Sequence, residues 1–295
     1  LDRLTDRQRE VLTGWLPDLE VVADHSWGLI DTVVLEVLSG GRRLIVKTGG
    51  ADVKHLGRGL GAHREWLGPW RAIGAAATLL HADEDAGLLV TEHLPGRLVL
   101  GHAAQDDPAT FRRAGQLLAV LHGQHAETDD GYEAAERDKT LMLLDRTHRI
   151  APDVVHALRA DIARWDTPPV TIVPTHGDWQ PRNWLVDDEG VVRVIDMGRA
   201  ALRPAMTDLA RLAAQDFRAR PDLEAAFLAG YGPDPRTATT ESPIMQGQEP
   251  DPPPTSAWRA SGLLPRTGRR RPPSEPDQAG NTPAPESQNM QGQEP

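Results

Sequence analysis

Up to about residue 95 the apolar positions of this chain come in short runs rich in Val, Ile and Leu. Beyond residue 107 they recur every three or four positions, and beyond residue 233 they thin out. The first pattern predicts strands, the second predicts helices, and the third offers too little apolar surface to form a core. A short helix precedes the strands. Thr5 with Gln8 three residues on has the form of a capping box, Val11, Leu12 and Trp15 share one helical face, and Pro17 ends the run. Residues 19–23, 32–38 and 44–47 then read as a β-meander, with Ser39-Gly40-Gly41 as the turn before its third strand.

Residues 63–70 have helical spacing. The glycines at 57, 59 and 61 each lower helix propensity by roughly 1 kcal/mol relative to alanine, which predicts a frayed start. Residues 87–95 read as a strand that continues into an extended segment. Further on, Asp107-Pro108 is a helix start, Phe111, Ala114, Leu118 and Leu121 fall on one face, and Gly123 is the stop. Two more helices are predicted over 138–150 and 152–165, a strand over 170–173, and helices opening at Thr207 and running over 221–231. His122 and His125 read as structural or solvated residues, since no third metal ligand stands at useful spacing. Asp208, near the start of its helix, reads as a structural carboxylate stabilised by exposed N–H groups and the helix dipole.

Composition narrows the picture. The 295 residues can bury a sizeable core. The absence of cysteine removes disulfides, Cys-ligated zinc and thiol nucleophiles. A formal charge of -11 argues against nucleic acid as a partner, which needs a basic face. An acidic pocket would suit a cationic small substrate, but net charge locates no pocket. With no apolar run of membrane-spanning length and no secretory pattern at the start, a cytoplasmic location and no membrane partner are expected. The 63 residues from Pro233 onward hold 14 of the 25 prolines and repeat Met-Gln-Gly-Gln-Glu-Pro at 245–250 and 290–295, which predicts a disordered tail.

The chemistry concentrates in THGDWQPRNWLVDDEGVVRVIDMG, residues 175–198. Residues 184–186 and 191–195 read as two strands joined by a tight turn at Asp187-Asp188-Glu189-Gly190. Folding back at that turn brings Asp196 beside Asn183, so that an amide and a carboxylate face one space. Hard cations such as Mg²⁺ favour oxygen ligands of this kind together with substrate phosphates. An Asp, an Asn five positions later and a following Asp-x-Gly also make up the phosphoryl-transfer layout of kinases. Here these are Asp178, Asn183 and Asp196-Met197-Gly198.

On these residues the chain resembles the aminoglycoside phosphotransferase and choline kinase-like family, whose loop reads His-Gly-Asp and not the His-Arg-Asp of protein kinases. The resemblance spans roughly residues 19–232. It implies an α+β, two-lobed protein-kinase-like fold: a β-rich nucleotide-binding lobe over 1–95, a mainly helical catalytic and acceptor lobe over 96–232, and the Pro-rich tail over 233–295. Asp178 is implied as the catalytic base, with Asn183 and Asp196 as ligands of Mg²⁺. Ser26 and Gly28 would cover the phosphates. Lys47, closing an apolar strand, would contact the α- and β-phosphates and pair with Glu65, the one acidic residue between positions 53 and 82. Backbone groups of Thr91, Glu92, His93 and Leu94 would form the hinge against the adenine edge, with ATP the expected donor and GTP the alternative.

The implied activity is transfer of the γ-phosphoryl of ATP to a hydroxyl of a small molecule, possible acceptors including aminoglycoside-like antibiotics. Relatives continue past this point with helices that wall the acceptor site, and nothing after Gly232 reads as their replacement. The alternative is therefore a kinase-fold nucleotide-binding or interaction protein with impaired catalysis. A protein kinase fits poorly, because no Ala-Pro-Glu element follows Asp196.

Overall fold

Thr5 caps the first helix as its sequence predicts. In the computed structural model, which describes residues 1–26, 32–49 and 54–237, the Gln8 N–H donates to Thr5 Oγ1 and the Thr5 N–H donates back to Gln8 Oε1. The same Gln8 side chain donates to the Ala86 carbonyl at 3.0 Å, tying this helix, α1 (Asp6–Trp15), to the strands beside it. The strands are β1 (Glu20–Asp24), β2 (Val34–Ser39), β3 (Arg42–Thr48), β4 (Leu79–Asp83) and β5 (Leu88–Glu92). Together they form an antiparallel sheet in the order β1-β2-β3-β5-β4. Gly40 and Gly41 both take positive φ, so a two-residue turn joins β2 to β3. Alternate residues of these strands, including Leu35, Val37, Leu44, Val46, Leu88 and Val90, pack with Leu4, Leu12 and Leu16 in one core.

Between β3 and β4 lie α2 (Lys54–Glu65) and α3 (Gly68–Ala72). The predicted helix over 63–70 is thus corrected to two: residues 57, 59 and 61 are inside α2. Packing of Leu56, Leu60 and Ala62 outweighs the poor propensity of these glycines.

After the short strand β6 (Arg97–Leu98) comes α4 (Pro108–His122), capped by Asp107 Oδ1. The chain continues through β7 (Glu127–Asp129), α5 (Tyr132–Leu144), α6 (Pro152–Ala163), β8 (Val170–Thr175), β9 (Trp184–Val186), β10 (Val192–Val194) and β11 (Ala201–Arg203). It closes with α7 (Met206–Ala214), α8 (Asp216–Ala219) and α9 (Pro221–Tyr231). The helix predicted over 138–150 begins and ends six residues earlier, because Asp129 Oδ1 receives the Gly131 and Tyr132 N–H groups and sets the start of α5. Strands β10, β9 and β6 form one small sheet, and β11, β8 and β7 another.

The core of the helical part gathers Trp70, Phe111, Trp179, Trp184 and Phe227, all 0–1% exposed. At its centre α4 and α9 approach so closely that a Cβ on Gly115 would run into the Phe227 carbonyl. This contact places Tyr231 against His122. The tail expected to be disordered lies outside the described residues, apart from its first five positions. Among the described residues no helix is long and apolar enough to cross a membrane.

Candidate active site

The loop 176–183 is held from behind by a carboxylate. Asp208, fully buried on α7, accepts from the His176 N–H at 2.8 Å and the Gly177 N–H at 2.6 Å, and His122 Nε2–H donates to it at 3.1 Å. The Tyr231 hydroxyl lies 2.8 Å from His122 Nδ1. Burial pushes the Asp208 carboxyl up, but its hydrogen bonds to His122 and to the loop hold it below the ordinary carboxylate value. Asp208 is structural, as predicted, but the N–H groups it serves belong to the loop and not to its own helix. His122 is structural too, and His125 is exposed beside Glu127.

Within the loop, His176 Nε2–H donates to the Ile195 carbonyl at 3.0 Å, which joins the loop to the chain just before Asp196. Gly177 has φ 76°, and a Cβ there would strike the Arg199 carbonyl. This is a local steric reason for the His-Gly-Asp spelling.

Asp178 is 7% exposed. Its carboxylate receives Gln180 Nε2 at 2.6 Å, Arg182 Nη2 at 2.6 Å and Asn183 Nδ2 at 3.1 Å, and Arg211 Nε stands 3.5 Å away. Desolvation raises its pKa, yet the bonds from Arg182 and Asn183 and the charges of Arg182 and Arg199 bring it below the usual range. It is therefore ionised at neutral pH. Asn183 spends its Nδ2 on the Asp178 carbonyl at 2.7 Å and on the carboxylate, which leaves Oδ1 as its acceptor for another partner.

The predicted hairpin forms, with Val186 opposite Val192 and Trp184 opposite Val194. Asp187 Oδ1 accepts the Glu189 and Val191 N–H groups, and Arg193 clamps Asp187 to the Pro95 carbonyl. The Ile195 N–H donates to the Asn183 carbonyl at 3.0 Å, so Asp196 follows directly beside Asn183. Asp196 takes φ 64°, rare for a residue other than glycine, and its side chain is 47% exposed. Its Oδ1 binds Lys47 Nζ. Desolvation pushes this carboxyl up, while the charge and hydrogen bond of Lys47 hold it below its ordinary value.

That contact brings β3 and the segment after β10 together, and it corrects one expectation. Glu65 is exposed at the end of α2 and makes no ion pair with Lys47. Two residues earlier on the helix, His63 turns inward. Burial, then the positive charges of Arg71 and Lys47, push its pKa down to about 4, and its Nδ1 has no hydrogen-bond partner. The sequence hid this because acidity, and not helical phase, selected Glu65. In the structure α2 spans Lys54–Glu65, which places His63 on its inner side.

In the expected hinge, Thr91 and Glu92 belong to β5, and the Glu92 and His93 N–H groups are taken by the Thr78 and Arg43 carbonyls. Of the backbone groups expected at the hinge, the N–H groups of Glu92 and His93 are thus already bonded within the protein. Ser26 Oγ accepts the Val34 N–H at 3.0 Å and Ser26 N–H donates to Asp24. Gly28 lies outside the described residues. A feature the sequence reading missed is the group of arginines around Asp178, from residues 182, 199 and 211. Only Arg182, four positions after Asp178 within the loop, carried a local signal.

The β-rich sheet bearing Lys47, the loop bearing Asp178 and Asn183, and the Asp-x-Gly turn bearing Asp196 form a kinase-like fold. By residues 30–239, which match the model of the phosphotransferase enzyme family, the chain belongs to that family. No curated protein sequence matches the chain. Among solved structures, it is similar to macrolide 2'-phosphotransferase MphH from Brachybacterium faecium, at 20% identity over 76% of this chain and 83% of that one, with a TM-score of 0.56. It is also similar to a thermostable mutant of aminoglycoside phosphotransferase APH(4)-Ia, at 16% identity, 77% and 85% coverage and a TM-score of 0.56. Choline kinase LicA, solved in complex with AMP, aligns at 18% identity, 79% and 81% coverage and a TM-score of 0.54.

Proposed function

We propose that the protein transfers the γ-phosphoryl group of ATP to a hydroxyl of a small molecule, with Mg²⁺. The observation that carries this reading is the convergence of Lys47, Asn183, Asp196 and an ionised Asp178 on one space. Asn183 Oδ1 and the half-exposed Asp196 carboxylate fit a hard cation, which prefers oxygen donors and keeps some of its water. That cation would neutralise charge on the phosphates. Asp178 orients the acceptor hydroxyl and takes its proton, Lys47 holds the α- and β-phosphates, and Leu94 meets the adenine edge. The AMP bound by choline kinase LicA supports an adenine nucleotide as donor. Such a protein works in the cytoplasm, where ATP is available.

A second reading, a kinase-fold nucleotide binder without transfer, draws on Lys47 being paired with Asp196 and, among the described residues, with no helix carboxylate of the kind kinases place toward that lysine. A coupled assay of ATP turnover over a panel of small hydroxyl compounds, with and without excess chelator, separates the two. Acceptor-dependent turnover abolished by the chelator is expected. Metal-dependent ATP binding with no turnover on any acceptor favours the second reading, and ATP binding unaffected by the chelator contradicts both the metal and its ligands.

A further inference from the structure

The end of α9 brings one tyrosine to the network behind the loop 176–183. Helix α9 lies so close to α4 that a Cβ on Gly230 would run into the Arg112 carbonyl, as one on Gly115 would into that of Phe227. This approach fixes the Tyr231 ring, which stacks on Phe227 with centroids 6.1 Å apart and meets His122 edge to face at 5.6 Å. A phenylalanine would make both ring contacts. What tyrosine adds is a hydroxyl, and among the described residues its one hydrogen-bond partner is His122 Nδ1, at 2.8 Å.

The direction of these bonds follows from their far end. The Asp208 side chain has no exposed surface, its carboxyl is held below the ordinary value, and an ionised carboxylate only accepts. The His122 nitrogen facing it at 3.1 Å, Nε2, therefore carries the proton. With a single proton on the ring, Nδ1 is left as an acceptor. Tyr231 suits it as a donor: burial, then the charges of Asp208 and Asp234, push its phenol pKa up, so the hydroxyl keeps its hydrogen. The Tyr231 hydroxyl thus donates to His122, His122 donates to Asp208, and the His176 and Gly177 N–H groups donate to the same carboxylate.

We infer that Tyr231 is a positioning residue for the loop: its hydroxyl caps His122 Nδ1 and so holds the ring with its proton on Nε2, aimed at the carboxylate that seats His176 and Gly177. Without the hydroxyl, Nδ1 is a buried acceptor with no donor, and the ring turns or takes a second proton to satisfy it. Either change alters the hold on Asp208, and through it the seat of the residues just before Asp178. The consequence for turnover rests on the phosphotransferase reading, whereas the proton position does not.

Tyr231→Phe keeps the ring contacts and removes the hydroxyl alone. ¹⁵N NMR of the full chain, with the His122 ring assigned through its side-chain carbons, reads the proton position directly. The wild type is expected to show a protonated Nε2 and a bare, hydrogen-bonded Nδ1. In Tyr231→Phe the Nδ1 signal should shift, and the backbone amide signals of His176 and Gly177 should move with it. Turnover should fall about tenfold, the scale of one hydrogen bond, at unchanged nucleotide affinity, and the melting temperature should stay within about 5 °C of wild type. A proton on Nδ1 in the wild type overturns the inference whatever the variant does. His122 or loop amide signals that stay in place, turnover equal to that of an active wild type, or nucleotide affinity lost in step with turnover would each overturn it too. A wild type with no turnover on any acceptor would instead strike at the phosphotransferase reading, and the NMR signals would still decide the role of Tyr231.

Discussion

The two sides of the proposed transfer site are built differently, although each supplies charged groups to it. On the helical side, His122, His176, Asp178, Asn183 and Asp208 are all at most 7% exposed, and each has hydrogen-bond partners inside the protein. On the β-rich side, Lys47 rests on the carboxylate of Asp196, and His63 on α2 has an unpartnered buried nitrogen. A preorganised loop aims its groups without reorganisation when substrate arrives. Under the proposed function the lysine side would exchange its contact, because Asp196 cannot hold Lys47 and a cation in the same way. On the proposed function, catalytic positioning would thus be already formed in the protein, whereas nucleotide positioning would be completed by the nucleotide and its ion.

Asp208→Ala should break the rigid side most severely. It leaves His122 and two loop N–H groups without their acceptor, and loss of one partner from a buried charged network costs about 3–5 kcal/mol. Denaturant unfolding would measure it, and a loss below about 1 kcal/mol would contradict the role given to Asp208. Its folded pKa lies below the unfolded value. The stabilisation is therefore complete above the unfolded carboxylate pKa, near 4, and is lost as pH falls through the lower folded value, so the variant's deficit should shrink in strong acid. Gly177→Ala comes next, at about 1–3 kcal/mol, since alanine must take a positive φ and its Cβ meets Arg199. A melting temperature unchanged by this substitution would show that the loop yields easily. The smallest change belongs to the other side: His63→Leu removes a buried nitrogen with no partner and should leave stability unchanged or raise it by about 1 kcal/mol. A clear destabilisation would mean that His63 has a partner in solution.

The legible parts of the sequence were those where one local rule dominates. The capping box at Thr5, the hairpin around Asp187 and the Asp107-Pro108 start all formed where predicted, because each depends on neighbours within a few residues. The meeting of Asp196 with Asn183 also followed, since hairpin length fixes it. Partners across long separations were harder. Glu65 was chosen for its charge, but the phase of α2 turned His63 inward. The service of Asp208 to the loop depends on how α7 packs against the end of β8, which no local spacing encodes. The arginines around Asp178 come from separate segments, and their convergence is visible only once those segments are folded together.

Paired Asp→Asn substitutions on the two sides test the central claim most directly, with Mg²⁺-dependent nucleotide affinity and turnover measured on each variant. Asp178→Asn keeps both proposed metal ligands, so nucleotide affinity should remain near wild type while turnover falls by about 10²-fold or more. Asp196→Asn removes the negative charge facing the cation and the partner of Lys47, so Mg²⁺-dependent affinity and turnover should fall together. Loss of nucleotide binding in Asp178→Asn with binding intact in Asp196→Asn would contradict the account.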